Sequence, residues 1–145
     1  MKKKLLIILP VLLLLVGGGY KFVLAKPSEP KHKVEGVVYP LPKEFLINLA
    51  DGRFAKLNVA LVLDHSMEEE LLGEGHGSPP PEGFGPLPQE ALVRALVTDT
   101  VTDVEADELI SPNGRTHLKE KILKRIERSS DVKAHEVLFT DMAVQ

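Results

Sequence analysis

The side chains best suited to metal binding or acid–base chemistry in this chain are five histidines, and their spacing fits neither role. No two of them stand four residues apart, no His-Glu-x-x-His sequence occurs, and cysteine is absent. Zinc sites and helical metal motifs need such spacing and such ligands. We therefore predict no metal site and no cofactor, and we interpret each histidine as a surface or boundary residue. The histidines are His32, His65, His76, His117 and His135.

Two further stretches have the composition of chemical motifs without their context. Residues 73–78 include three glycines, but no strand–turn–helix pattern and no Gly-Lys-Ser or Gly-Lys-Thr sequence marks a phosphate-binding loop. Residues 98–103 combine acids with hydroxyl side chains, and helix capping explains that combination. No Gly-x-Ser-x-Gly sequence identifies a serine nucleophile. Because no reactive centre can be assembled, we predict that the protein is not an enzyme and has no small-molecule substrate.

Charge divides the chain into a basic start and an acidic body. The first 26 residues contain five of the 18 Lys and Arg residues and none of the 21 Asp and Glu residues. Residues 27–145 therefore carry 13 basic and 21 acidic side chains, a net charge of −8. A surface of this sign repels phosphate backbones, so we expect no nucleic acid partner.

The first 26 residues are predicted to form a cytoplasmic basic tip and a single transmembrane helix. Three lysines precede an apolar run over residues 5–16, and weaker apolar sequence continues to residue 25. About 21 residues are then available, which at about 1.5 Å per residue span roughly 31 Å, the thickness of a bilayer core. The predicted anchor residues are Leu5, Leu6, Ile7, Ile8, Leu9, Val11, Leu12, Leu13, Leu14, Leu15, Val16, Tyr20 and Phe22.

A cleaved signal peptide is the alternative interpretation of the same segment. The basic start, the short apolar core and the sequence Val-Leu-Ala at residues 23–25 fit a signal peptide. However, this possible cleavage site lies well beyond the apolar core, with Lys21 between them, which favours the anchor. In both interpretations the lysines hold the N-terminus in the cytoplasm, and everything after Lys26 is exported.

The remainder of the chain is predicted to consist of a linker and one folded domain. Residues 27–44 contain four prolines and predict an extended, stiff linker, in which residues 37–39 suit a short edge strand. Residues 45–145 form the predicted domain. Within it, residues 65–86 are rich in glycine and proline, which predicts a flexible exposed loop.

A β-hairpin is predicted around the turn residues Asp51 and Gly52. Apolar residues alternate with other residues in both flanking strands. A two-residue loop would place the two apolar sets on opposite faces of the hairpin, whereas a three-residue loop places them on the same face. We therefore predict a three-residue loop that pairs Ile47 with Ala55 and a type I turn with Gly52 at positive φ as a bulge.

Three helices are predicted to follow, over residues 88–101, 102–110 and 111–128. The first has Pro88 in its first turn. The second starts from a capping box, and the third from a serine cap followed by proline. The cap residues are Thr102 and Glu105 for the second helix and Ser111 and Pro112 for the third. The predicted apolar stripes are Leu92, Val93, Leu96, Val97, Thr100 and Val101 in the first helix, and Leu118, Ile122 and Ile126 in the third, whose solvated side holds Lys119, Lys121, Lys124, Arg125 and Arg128.

Residues 131–145 are predicted to be a final strand. Strict alternation directs apolar residues to both of its faces, which indicates a strand that is central in the sheet or covered on both sides. The order strand, strand, three helices, strand predicts an α+β fold in which the helices are segregated from an antiparallel sheet. The strand residues are Val137, Phe139 and Asp141 on one face and Leu138, Thr140, Met142 and Val144 on the other.

Three segments together resemble the FliL family of flagellar basal body-associated membrane proteins. These segments are Asn-Leu-Ala-Asp-Gly-Arg at residues 48–53, Pro-Asn-Gly-Arg at residues 112–115 with Leu-Lys at 118–119, and Phe-Thr-Asp at residues 139–141 continuing to Gln145. Their order and spacing agree with the family over nearly the whole chain. The loop at residues 65–86 is longer and richer in glycine than the family pattern, and the start of the first helix also departs from it.

The resemblance implies a single-pass inner-membrane protein with an exported domain in the periplasm. That domain is expected to be similar to the stomatin/SPFH fold and to assemble as a homo-oligomeric ring. The expected partners are the flagellar basal body and the stator proteins MotA and MotB, and the expected role is support of torque generation, swarming and chemotactic motility. The resemblance also favours the anchor over the signal peptide. The alternative is a cleaved, soluble periplasmic binding or envelope-assembly module without stator association.

Overall fold

The computed structural model describes residues 34–72 and 80–145. The predicted anchor, part of the linker and residues 73–79 of the predicted loop lie outside the described residues. The strands are β1 (Val37–Pro40), β2 (Phe45–Asn48), β3 (Phe54–Leu63) and β4 (Ala134–Val144). The helices are α1 (Glu68–Leu71), which follows a turn of 3-10 helix at His65–Met67, and α2 (Glu90–Thr102), α3 (Ala106–Ile110) and α4 (Pro112–Ser129).

Strand β3 lies at the centre of an antiparallel sheet. On one edge, β4 pairs with β3 from Ala55 to Leu63. On the opposite edge, β2 pairs with the first half of β3 and β1 with the second half. Helix α2 contacts β2, and α4 contacts β4. The predicted α+β class with an antiparallel sheet is therefore confirmed. β1 confirms the short edge strand predicted at residues 37–39, and α1 adds to the predicted order.

The core fills the space between one face of the sheet and the helices. Every second residue of β3 from Ala55 to Leu63 is at most 1% exposed. Facing them, Leu118, Ile122 and Ile126 of α4 are fully buried, which confirms the stripe predicted for this helix. The spacing of these three residues places them on one side of an α-helix, so the sequence pattern and the packing agree.

The predicted hairpin register is confirmed. Ile47 pairs with Ala55. Leu49 N–H donates to the carbonyl oxygen of Arg53 at 2.7 Å, which closes a three-residue loop. Gly52 has a φ of +84°, and no atom of the described residues lies within 4 Å of the position that a Cβ would occupy. The backbone conformation rather than crowding therefore requires glycine at this position.

Two details of α2 differ from the prediction. The helix begins at Glu90 rather than at Pro88, because Gln89 has a φ of +55° and stands outside the helix. In this conformation Gln89 Nε2 donates to Asp131 Oδ2 at 2.7 Å. Leu92 is 38% exposed, so its assignment to the buried stripe is wrong. It lies roughly 110° around the helix from the centre of that stripe, at about 100° per residue.

The capping box predicted for α3 is wrong. Thr102 belongs to α2, where its hydroxyl donates to the carbonyl oxygen of Thr98 at 2.9 Å. Glu105 is the N-cap of α3, but its side chain makes no capping hydrogen bond. Ala106 N–H instead donates to Asp51 Oδ2 at 2.9 Å. The cap therefore comes from the distant hairpin turn, which a local sequence pattern does not reveal.

The cap predicted for α4 is confirmed. Ser111 Oγ accepts the N–H of Gly114 at 3.1 Å, and Pro112 is the first residue of the helix. A Cβ on Gly114 would lie 2.1 Å from the carbonyl oxygen of Glu108. Glycine therefore allows α3 and α4 to follow one another with a single residue between them.

Strand β4 lies at an edge of the sheet. Within the two described ranges, β3 is the only strand that pairs with it. On its outer face, Asp141 and Ala143 are exposed. The prediction of a central strand, or of one covered on both faces, is therefore wrong, and a bulge in the strand explains the apolar pattern that suggested it.

Thr140 forms this bulge. Asn58 pairs with Asp141 and Val59 pairs with Phe139, so Thr140 is an extra residue that has no partner on β3. One extra residue reverses the alternation, so odd-numbered apolar residues face the core before the bulge and even-numbered ones face it after the bulge. The core-facing residues are Val137 and Phe139 before the bulge and Met142 and Val144 after it.

Candidate functional site

The histidines of the described residues lie apart from one another, each near a carboxylate. His117 Nδ1 is 3.3 Å from Glu108 Oε1, and His135 Nε2 is 3.0 Å from Asp64 Oδ2. Hydrogen bonds from Ser66 and then from His135 lower the pKa of Asp64 to about 2. Across residues 34–72 and 80–145, no group of three or more His, Asp or Glu side chains is arranged to hold a metal ion.

The hairpin turn is attached to the start of α3 by a set of contacts that we call the turn clamp: Asp51, Arg53, Ala106 and Asp107. Asp51 Oδ2 accepts from Ala106 N–H at 2.9 Å and from Arg53 Nη2 at 2.8 Å. The same Nη2 donates to Asp107 Oδ1 at 2.9 Å. The hydrogen bonds from Arg53, followed by that from Ala106, hold the pKa of Asp51 at about 2.

A buried carboxylate joins β1 to the start of α2. Glu90 is 3% exposed, and its Oε2 accepts from the Tyr39 hydroxyl at 2.7 Å and from Gly85 N–H at 2.9 Å. Burial, reinforced by the hydrogen bond to Glu90, raises the pKa of Tyr39. A Cβ on Gly85 would lie 2.0 Å from the Tyr39 hydroxyl oxygen, so this contact requires glycine. The other oxygen, Oε1, has no partner among the described residues.

Arg94 holds the connection between β1 and β2 against α2. Its Nη1 donates to the carbonyl oxygens of Pro42 and, at 3.1 Å, of Lys43. The guanidinium carbon lies 4.2 Å from the centroid of the Phe45 ring, a distance at which a cation and an aromatic face attract each other. Glu90 and Arg94 therefore fix both the strand β1 and the connection that follows it.

An open groove, here called the edge groove, lies between the N-terminal half of α4 and β4. Its volume is about 520 Å³. Phe139 and Met142 contribute apolar surface that is continuous with the core, and Arg115 and Lys119 contribute positive charge. The lining residues are Pro112, Arg115, Thr116, Lys119, Phe139, Thr140, Asp141 and Met142.

The structure brings together some of the predicted residues and separates others. Pro112 and the bulge of β4 meet in the edge groove, so two of the three segments that carry the family resemblance line the same surface. Asp51 lies at α3 rather than in a free turn. The predicted anchor residues precede residue 34 and lie outside the described residues. Over the described ranges, none of the helices has the length and apolar content to cross a bilayer.

No sequence pattern marks Glu90, Tyr39 or Arg94 as important, and Lys119 was expected on the solvated side of its helix rather than in a groove. Glu90 looks like an ordinary acidic residue in the first turn of a helix, and nothing in the local sequence shows that it is buried. Lys119 has the sequence context of a solvated helix face. The last strand contains a weak signal for the groove. Apolar residues occur there at both odd-numbered and even-numbered positions, which indicates an irregular strand.

Comparison with known proteins identifies the family. The model of the family described as "Flagellar basal body-associated protein FliL" matches residues 38–145, which is most of the chain. The "Flagellar protein FliL" of Aquifex aeolicus (strain VF5) is 28% identical over 114 residues, which cover 76% of this chain and 62% of that protein. The chain therefore spans less than two thirds of the length of this relative. Because the family match extends from β1 to β4, the chain belongs to the FliL family of flagellar basal body-associated proteins.

Proposed function

We propose that this protein is an accessory component of the flagellar motor that acts as a scaffold and not as an enzyme. The observation that carries the proposal is the family match over residues 38–145. This match takes in the sheet, the helices and all three segments of the original resemblance, so the domain as a whole, rather than one short motif, supports the assignment.

In this proposal the first 26 residues anchor the chain in the inner membrane, and residues 45–145 form a periplasmic domain at the end of the linker. The basic cluster at residues 2–4 supports this orientation, because lysines that flank a membrane span favour the cytoplasmic side. Copies of the domain, similar to the stomatin/SPFH fold, assemble as a ring around the stator proteins MotA and MotB. The ring supports torque generation, swarming and chemotactic motility.

Deletion of the gene in its native organism tests the role in motility. We expect reduced swarming and reduced torque under high load, while flagellar filaments still form. A plasmid that encodes the full chain restores both properties. As a matched control, a chain in which a cleavable signal peptide replaces residues 1–26 exports the same domain without the anchor and does not restore them. Unchanged torque at high load in the deletion strain contradicts the proposal.

Purification of the full chain in detergent tests the assembly. We expect MotA and MotB to copurify with it, and we expect imaging of the complex to show a ring of identical domains. The intact mass of the mature protein separates the two interpretations of the N-terminus. A new N-terminus at Lys26 identifies a cleaved periplasmic module and rules out the anchored scaffold.

A further inference from the structure

Among the residues that the structure describes, β4 pairs on one edge only, and its other edge, here called the free edge, presents unpaired backbone groups at regular intervals. Phe54 and Gln145 exchange two hydrogen bonds of 2.9 Å, so their N–H and C=O groups point at each other across the sheet. In an antiparallel pair this orientation alternates along each strand. Met142 and Val144 therefore direct their N–H and C=O groups away from β3. On the other side of the bulge, Val59 accepts a hydrogen bond from Leu41 N–H and so directs its carbonyl oxygen away from β4. Its partner Phe139 correspondingly directs its own N–H and C=O groups away from β3.

The edge is partly protected at the bulge. Asp141 Oδ1 accepts the N–H of Met142 at 2.8 Å, which removes one of these donors. A second irregularity near the start of β4 occurs at His135, which lies between the residues paired with Leu63 and Val62. Bulges and short side-chain caps are common means of limiting indiscriminate pairing at a sheet edge. Over residues 34–72 and 80–145, no strand pairs with the outward backbone groups of Phe139 and Val144, which lie on the two sides of Thr140.

Helix α4 runs beside this edge and places positively charged side chains next to it. Arg115 is half-buried and its Nη1 donates to the carbonyl oxygen of Ile110, which fixes the guanidinium at the groove. Lys119 is also half-buried in the wall of the groove. In the part of the chain that the structure describes, no ion pair joins either cation to a carboxylate. Asp141, whose Oδ1 accepts the Met142 N–H, also lines the groove. Two cations and one carboxylate therefore line the groove, an excess of positive charge in a body whose net charge is −8.

We propose that the edge groove binds an extended segment of a partner protein, which adds to the free edge of β4 and carries alternating glutamate and apolar side chains. Glutamates on the groove side place their methylene groups on Phe139 and Met142 and their carboxylates beside Arg115 and Lys119. The apolar side chains then lie on the opposite face of the sheet, beside Leu138. Main-chain hydrogen bonds supply affinity, and alternate side chains supply specificity, as in other cases of strand addition beside a helix. This inference goes beyond the scaffold proposal and does not depend on it.

A synthetic octapeptide of alternating Glu and Val residues, with a fluorescent label, tests the proposal against the full chain in detergent at physiological salt. Fluorescence anisotropy measures its dissociation constant. Lys119→Glu is expected to weaken binding at least tenfold. Lys121→Glu is the matched control, because it makes the same charge change at an exposed position of α4 outside the groove, and we expect it to change binding less than twofold, since salt screens distant charges.

Two modified peptides separate strand addition from simple charge attraction. A peptide with alternating Lys and Val is expected to bind the native chain at least tenfold more weakly and to bind the Lys119→Glu variant more tightly than it binds the native chain. N-methylation of the backbone nitrogens on the side that pairs with β4 is expected to weaken binding of the Glu and Val peptide at least tenfold. Thermal melting of the variant confirms that it is folded.

Three results would overturn the proposal: equal binding of the two peptides, an equal loss of binding in both lysine variants, and no effect of N-methylation. A second copy of this chain is the other candidate occupant. If the Glu and Val peptide does not bind, and the chain self-associates in a manner that Lys119→Glu abolishes in sedimentation experiments, the groove is an interface between copies and the proposal is wrong.

Discussion

All three outer strands pair with β3 through the sheet ladder. On one side of β3, buried or half-buried side chains also join β1, β2 and their connections to helices. On the other side, β4 has apolar packing and one exposed side-chain contact, between His135 and Asp64. Glu90, Arg94 and Asp51 each connect the first side to a helix. The edge groove on the second side has open backbone groups and positive charge. Under the proposal above, the first side is the rigid part of the sheet and the second side is the part that binds a partner segment.

Among the changes that test this difference between the two sides, removal of residues 142–145 should have the largest effect on stability. It deletes the core-facing Met142 and Val144 and the two ladder bonds between Phe54 and Gln145, and it uncovers Leu57. We expect the free energy of unfolding to fall by roughly 4–6 kcal/mol, from the lost burial and hydrogen bonds. This loss approaches the whole stability of a typical domain, which is about 5–15 kcal/mol. Circular dichroism of the full and truncated chains measures it, and an unchanged Tm contradicts the role of β4 in closing the core.

An insertion and a deletion test whether the number of residues after Phe139 sets the orientation of the strand end. An alanine inserted between Asp141 and Met142 turns Met142 and Val144 from the core face to the outer face, because side chains alternate along a strand. We expect a loss of about 3 kcal/mol or more, because core side chains are removed from their contacts. Deletion of Thr140 is the matched control: Asp141 then follows Phe139 directly, Met142 and Val144 keep their partners on β3 and their core face, and the loss should be much smaller. Similar unfolding curves for the two variants in urea would show that the register does not set the orientation.

Glu90→Ala tests the rigid side. The substitution leaves the Tyr39 hydroxyl and the Gly85 N–H without their shared acceptor, and we expect a loss of about 1–3 kcal/mol, because both donors are half-buried. Glu127→Ala, which removes an exposed acid from α4, should change stability by less than about 0.5 kcal/mol. If Tyr39→Phe combined with Glu90→Ala costs more than Glu90→Ala alone, an unsatisfied tyrosine hydroxyl is not the reason for the loss.

The pH dependence of the turn clamp gives the smallest expected effect. The folded chain holds the pKa of Asp51 at about 2, below the usual value of 3.8. The group therefore contributes stability at pH values above 3.8, and that contribution is lost as the pH falls towards 2. Asp51→Asn should lower the Tm near pH 5 and should have a shallower dependence of Tm on pH between about 4 and 2 than the native chain. Parallel curves for the two proteins contradict this contribution.

The parts of the fold that follow from local patterns could be predicted from the sequence. Ser111 and Pro112 mark the start of α4, and the buried stripe Leu118, Ile122 and Ile126 continues it. The hairpin register followed from requiring that both apolar sets share a face, which is a strong constraint when one face of a sheet is buried.

The features that depend on distant contacts could not be predicted. Asp51 caps α3 although it lies 55 residues before Ala106 in the sequence. The capping box expected from Thr102 and Glu105 does not form. The bulge at Thr140 is set by pairing with β3, so strict alternation assigned the strand to the wrong environment. Lys119 lies in a groove only because α4 packs beside β4, which no helical pattern shows.

Amide hydrogen exchange measured by NMR on the full chain, with and without the Glu and Val peptide, tests most directly the claim that one side of the sheet is closed and the other open. In the free chain we predict rapid exchange at Phe139 and Val144 and slow exchange at Leu138 and Ala143, whose N–H groups point towards β3. The peptide should slow exchange at Phe139 and Val144 and leave Gly85 on the rigid side unchanged. Slow exchange at Phe139 and Val144 in the free chain, or no change when the peptide is added, would contradict the account.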